Sequence, residues 1–319
     1  MTTTIVLQQA INGVVLGSLY VLVALGLTLI YGVLVQINFA HADFVTLGAF
    51  AAYFFMHLVG GGYILSIAVA FAVGAALGWG INAAIFTPLR HKGNELLPLI
   101  ATIGVSVMMQ NLMLAWFGPI PYAFETQYSN EVIRFAGIFV SWQNVIIIVV
   151  STLTILLLYA FMKFTYLGKA LRAVSQDRET AGLMGINPNQ LIMLTFVIAS
   201  ALAGMGGAML APVLVLTPFA GTSVIVKAFA IVIIGGFGNV EGTILAGLIV
   251  GLIESYHAVS RSRTDRHCRV RAPPAHAGDK ADRTHFGKTR RKCLIRPLLS
   301  ICPVSARCCA RGGWDTGSP

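Results

Sequence analysis

The stretch YLGKALRAVSQDRETAGLMGINPNQ, Tyr166 to Gln190, separates two long apolar runs, Val145 to Met162 and Leu191 to Leu216. It holds Lys169, Arg172 and Arg178, with Lys163 just before it, against two acids, Asp177 and Glu179. The flanking runs read as membrane spans, since about 20 apolar residues cross the hydrocarbon core. Connecting two neighbouring helices takes far fewer residues than this stretch provides. A polar, helix-capable insert of this size has work beyond connection, and its lysines and arginines place it on the cytoplasmic side. The plain alternative is an ordinary basic loop held inside by charge alone.

Composition agrees with the spans. The 319 residues are 56% hydrophobic and 11% charged, with a mean hydropathy of +0.79. A soluble domain carries about a quarter charged residues. In lipid every backbone polar group must be paired internally, and a helix does this by itself. The runs do not alternate as barrel strands would. The expected fold is therefore all-α, a polytopic transmembrane helical bundle.

The net charge of +10 is not spread along the chain. Residues 1–256 hold eight basic and eight acidic side chains, so the whole excess follows Tyr256, as do all five cysteines. Two chemically different segments meet there: an expected membrane domain, 1–256, and a basic, cysteine- and proline-containing tail, 257–319.

Taken in order, the first run, Ile5 to Leu34, has no preceding basic cluster and reads as a retained span. Gly13 and Gly17 lie on one of its faces, spaced for close helix approach. In INFAHADFVTLGAF, Ile37 to Phe50, Asn38 is a candidate cap for the next helix, and His41 and Asp43 read as interfacial anchors. The third span, Tyr63 to Phe86, carries Gly74 and Gly78 and ends at the basic Pro88-Leu89-Arg90-His91-Lys92. The fourth, Leu96 to Phe117, carries Thr102, Gln110 and Asn111. Gly118 to Val140 is a polar loop for the outer face. The sixth span holds Gly204, Gly206 and Gly207. The seventh stretch, Ser223 to Ser255, is too long for one crossing and is broken at IGGFGNVEG, Ile234 to Gly242. That break reads either as irregular backbone lining a cavity or as a tight polar turn between two short helices. Lys227 reads as a snorkelling cation.

These motifs, with LIATIG at Leu99 to Gly104, GKALRAVSQDRETAGLMGIN and IIGGFGNVEGTILAGLIVGLIE, occur in an order that resembles the LivH-like permeases of branched-chain amino acid ABC transporters. Ala42 stands where the resemblance leads us to expect glycine. The resemblance implies a multi-pass subunit of the bacterial inner membrane with no catalysis, metal or cofactor of its own. It implies four further kinds of partner: a second related permease, two cytoplasmic ABC ATPases, a periplasmic amino-acid-binding protein and membrane lipid. Glu179-Thr180-Ala181 with Gly185 resembles the loop that docks such permeases on an ATPase. By that resemblance Arg172, Asp177, Glu179, Ala181 and Gly185 belong to the ATPase-coupling loop, 166–190, whose small residues allow close docking. A path for a zwitterion with an apolar side chain needs a few polar groups. Asn12, Asn38, Thr102, Gln110, Asn111 and Asn239 are the candidates by polarity.

An ion-gradient-driven secondary transporter is the alternative. It would show inverted repeats and intramembrane acid–base pairs. Enzyme chemistry finds no nucleophile with a base. In the tail, Cys268, Cys293, Cys302, Cys308 and Cys309 lack the Cys-x2-Cys spacing of a zinc site. Its arginines read as solvated charge rather than a nucleic-acid surface. The abrupt change of composition within a helix that should continue reads as a displaced reading frame, with the native last span replaced by a disordered tail.

Overall fold

Apolar residues fill α1, Thr3–Leu34, on every side, and a helix with no polar face belongs in an interior. In the computed structural model, which describes residues 3–34, 36–90, 96–124, 126–129, 131–135 and 138–270, Leu19 to Leu25 are all buried along this helix. Next come α2, His41–Val59, and α3, Tyr63–Ile81, which continues through a π-turn, Asn82–Phe86, into α4, Thr87–Arg90. Then follow α5, Leu96–Phe117, and α6, Trp142–Phe164. The 166–190 stretch forms α7, Tyr166–Gln176, and α8, Arg178–Leu183. The chain finishes with α9, Pro188–Leu210, α10, Ala220–Gly235, and α11, Val240–Val270. Among the described residues six helices are long and apolar enough to cross a membrane, and α10 is a shorter apolar one.

Small residues decide the packing. α9 lies against α1, α2 and α3. A Cβ at Gly48 would run into the backbone of Gly204, and one at Gly78 into the Ser200 side chain. Helices in lipid gain from such close backbone approach because no hydrophobic effect drives them together. α1 and α9 are the most enclosed spans, whereas α3, α5 and α6 turn most of their surface outward. Leu153, Leu156 and Leu157 of α6 are exposed, as suits a face towards lipid or another membrane subunit.

α11 runs antiparallel to α1. Thr243 and Thr28 share a hydrogen bond of 3.0 Å, and the Ser255 hydroxyl donates to the Gln9 carbonyl at 2.8 Å. Gly251 meets Gly17 between these points, so the Gly13 and Gly17 face is the seat of α11. The glycine break is the tight turn. Gly236 and Gly238 have φ of 89° and 77°, and Phe237 packs tilted against Tyr31 near the end of α1, with ring centroids 4.1 Å apart.

Two features depart from expectation. The sixth apolar run ends as helix at Leu210, and Leu216 instead bridges to Tyr122 in the 118–140 loop. That loop is not wholly irregular. Val132–Phe135 (β1) pairs antiparallel with Ile138–Ser141 (β2), Val132 opposite Ser141. Val132, Ile133, Ile138 and Val140 are the β-branched residues that favour it. At the other end of the chain, helix runs unbroken past Tyr256 to Val270. The change of composition is therefore not a break in secondary structure. A compact unit closes at Thr264. The rest of the expected tail, 271–319, with four of its five cysteines, lies outside the described residues, as do His91 and Lys92.

Candidate functional site

The 166–190 stretch is built from capped turns. The Thr165 hydroxyl accepts the Gly168 N–H at 3.1 Å and starts α7. Gly168, Ala170, Leu171 and Val174 form its buried face, while Lys169 and Arg172 are exposed. Asp177 ends α7 and caps α8. Its Oδ1 accepts the N–H groups of Glu179 and Thr180 at 2.9 and 3.1 Å, and its Oδ2 accepts the Thr180 hydroxyl at 2.5 Å. The Thr180 hydroxyl and these backbone N–H groups hold the carboxyl below its ordinary range.

Gly185 closes the loop. Its φ is 83°, and the N–H groups of Ile186 and Gly185 return to the carbonyls of Ala181 and Gly182, both at 3.1 Å. This is the left-handed helix ending that glycine makes cheap. Asn187 then caps α9 by accepting the Asn189 N–H at 3.1 Å. Glu179 faces outward, but Ala181 is 5% exposed and packs inward. The expected small docking surface is thus corrected for Ala181, whose methyl belongs to the body of the protein. What α8 presents instead is an apolar tip, Leu183 at 89% and Met184 at 79% exposed. Two large apolar residues in a row, between a capped turn and a glycine, were the legible signal for it.

Besides the buried face of α7, a hydrogen bond ties this loop to α1. The Arg178 guanidinium donates to the Val33 carbonyl at 2.7 Å. On α4, Arg90 donates to Asn82 Oδ1 at 2.5 Å within the same helical run. Arg90 also lines a small pocket with Phe86, Thr102, Phe196 and Asn38.

The six polar path candidates fall in different places. Asn38 and Thr102 share that pocket. Gln110 donates to Asp43 Oδ1 at 3.0 Å and to Ser106 at 3.2 Å. Asn12 accepts from Gln8 at 3.5 Å, and Gln8 in turn pairs with the Phe139 backbone in the β1–β2 hairpin. Asn111 is exposed and donates back to Val107 of its own helix at 2.7 Å. Asn239 accepts the Gly242 N–H at 3.1 Å and so caps α11.

Three readings of charged or capping residues are corrected. His41 and Asp43 are not interfacial anchors, being 0% and 1% exposed. The His41 ring meets the Val23 carbonyl at 3.1 Å, deep along α1. Residues 36–40 are non-helical and lead the chain to this depth, so the helix starts inside the bundle rather than at its surface. Asn38 stands two residues before the actual cap position, Ala40, and its Oδ1 accepts the Ala40 N–H at 3.1 Å. Lys227 does not snorkel. It turns inward, donating to the Tyr20 hydroxyl at 2.8 Å and pairing with Glu254 at 2.5 Å.

Residues 9–267 match the family described as branched-chain amino acid transport system / permease component. BraD of Pseudomonas aeruginosa, a high-affinity branched-chain amino acid transport system permease protein, is 34% identical over 265 residues, covering 79% of this chain and 86% of BraD. LivH of Salmonella typhimurium, of the same description, is 34% identical over 267 residues, covering 78% and 85%. LivM of Escherichia coli, a further permease protein of that description, is 24% identical over 261 residues, covering 74% and 60%. No solved structure gives a significant match.

Proposed function

We propose, from the premise that this chain belongs to the permease family of branched-chain amino acid transport systems, that it carries leucine, isoleucine, valine or related hydrophobic amino acids into the cell in an ATP-driven importer. The chain is a multi-pass inner-membrane protein of that family. In the proposed assembly it pairs with a second related permease. The likeness to both LivH and LivM, two permeases of the same description, supports this pairing. Two cytoplasmic ATPases bind and hydrolyse ATP, and a binding protein delivers the cargo from the periplasm.

The observation that carries this reading is the α7–α8 element. It is amphipathic, capped at each turn, and ends in the exposed Leu183 and Met184. A short helix with an apolar tip suits a groove on a partner. Closure of the ATPases on ATP would move α8, and Arg178 would pass that movement to α1 and so bias the packing of the bundle. The Lys227–Glu254 pair is a feature of ion-driven transporters, but family membership favours the ATP-driven importer.

The test is a Leu183→Asp, Met184→Asp double variant co-expressed with the other subunits. The ATPases should no longer co-purify, while the second permease still does. Retention of the ATPases would remove the docking role.

A further inference from the structure

Lys227 and Glu254 form an ion pair within the apolar part of the bundle, with Nζ 2.5 Å from Oε1. Lys227 also donates to the Tyr20 hydroxyl at 2.8 Å and stands over the Tyr20 ring, 4.9 Å from its centroid. Tyr20 marks one side of the pair's depth and Gln9, which Ser255 beside Glu254 meets, the other, nearer the start of α1. Tyr20 lies near the middle of the 32-residue α1, about 20 Å or more from either end at a rise of about 1.5 Å per residue.

A pair at this depth has a cost. Two charges lose their hydration, and an apolar pair of similar volume would hold α10 on α11 without it. Nor is the pair sealed in, because the two side chains keep 33% and 36% of their surface exposed. Val226 and Ile253, their neighbours in sequence, are exposed as well, at 67% and 62%. Ionisable groups within spanning segments face the bundle interior or a water-filled cavity rather than lipid.

We propose that Lys227, Glu254 and Tyr20 form the station at which the permease holds the charged end of its cargo, an α-amino acid zwitterion; this rests on the amino-acid reading above. A zwitterion presents one charge of each sign a few ångströms apart, and so does this pair. Partner exchange keeps every charge matched. The Lys227 ammonium takes the cargo carboxylate, and the Glu254 carboxylate takes the cargo ammonium. The Tyr20 hydroxyl keeps Lys227 oriented while its first partner leaves. Val226 and Ile253 offer the cargo side chain an apolar wall. No net charge is left unpaired at any point, which is the condition for crossing this depth.

The experiment uses the whole importer in proteoliposomes, with ATP-driven uptake of leucine as the readout and co-elution of the subunits as the check on assembly. Native permease is compared with K227M/E254Q, which removes both charges together, and with K227E/E254K, which keeps an ion pair between α10 and α11 but inverts it. Both variants should assemble, and uptake should fall about tenfold or more in each, the scale of losing hydrogen bonds to charged groups. A pair that merely staples the helices would be rescued by inversion. Native-level uptake in either variant overturns the proposal. Failure of both variants to assemble assigns the pair to folding and overturns it too. Absent uptake of leucine, isoleucine and valine by the native complex overturns the amino-acid reading itself, and this inference with it.

Discussion

The Arg178 guanidinium donates from Nη2 to the Val33 carbonyl at 2.7 Å, so the first residue of α8 is fastened to the last turn of α1. Val33 is among the final four carbonyls of its helix, which have no partner within the helix. A cation there also meets the negative end of the helix dipole. Arg178→Met keeps the stem and removes the donor. Uptake should drop about tenfold, since a hydrogen bond from a charged group is lost, while the ATPases still co-purify. Arg178→Lys should be milder because it keeps the charge but not the planar donor. Uptake in vesicles, compared with subunit recovery, separates the two effects. Unchanged uptake in Arg178→Met would mean that the link carries no movement.

The loop ending gives a second test. Gly185 sits at φ 83° with open space around its Cα, so only the backbone demands glycine there. Gly185→Val should loosen the α8–α9 turn by about 1–2 kcal/mol, the cost of left-handed backbone for an L-residue. Gly185→Asn should be tolerated. Protease sensitivity between α8 and α9 is the measurement, and equal sensitivity of Val and Asn variants would contradict it.

Asp177 adds a dependence on pH. Its folded carboxyl lies below the ordinary value of 3.8 because Thr180 and the α8 N–H groups favour the charged form. The sign follows from a depressed acid. The stabilisation is present above pH 3.8 and is lost as pH falls through the lower folded value. Amide exchange of α8 should therefore rise in that acid range for the native chain. Asp177→Asn, which keeps an acceptor oxygen, should flatten that dependence, whereas Asp177→Ala should show fast exchange already at neutral pH. A pH-dependent rise in the Asn variant equal to the native one would place the titration elsewhere.

Core glycines should be intolerant in a selective way. A Cβ at Gly204 would stand 2.6 Å from the Ala70 carbonyl oxygen, whereas one at Gly80 meets nothing within 4 Å. Gly204→Val should lower the melting temperature of the purified permease by forcing α3 and α9 apart, at about 1–3 kcal/mol for overpacking. Gly80→Ala should leave it unchanged. Equal effects would deny the small-residue interface.

How far the sequence carried this reading depends on range. The existence of the spans, the break at Gly236 to Asn239 and the Gly13/Gly17 face were legible because each is written in a local pattern of apolar and small residues, whereas the ends of the sixth span and of α11 were not. The place of His41 and Asp43 was not. Their burial depends on Val23 of α1 and on Gln110, 67 positions away from Asp43. Lys227 looked like a snorkelling residue for the same reason, since its partner Tyr20 is 207 positions away. The β1–β2 pair hid in a segment whose prolines and charges read as loop. In the coupling loop the polar residues drew attention, although Asp177 serves as a cap and Ala181 as packing. The exposed Leu183 and Met184, which the proposed docking uses, carry no polar group to draw attention to them.

The central claim is that the tip of α8 lies on the cytoplasmic side and docks on an ATPase. A photo-reactive amino acid at Met184 in the otherwise native, fully assembled importer tests this most directly. Irradiation should link the permease to an ATPase subunit, with the yield changing between the nucleotide-free and ATP-bound states. A cross-link to the periplasmic binding protein, or none to an ATPase in either state, would contradict the account.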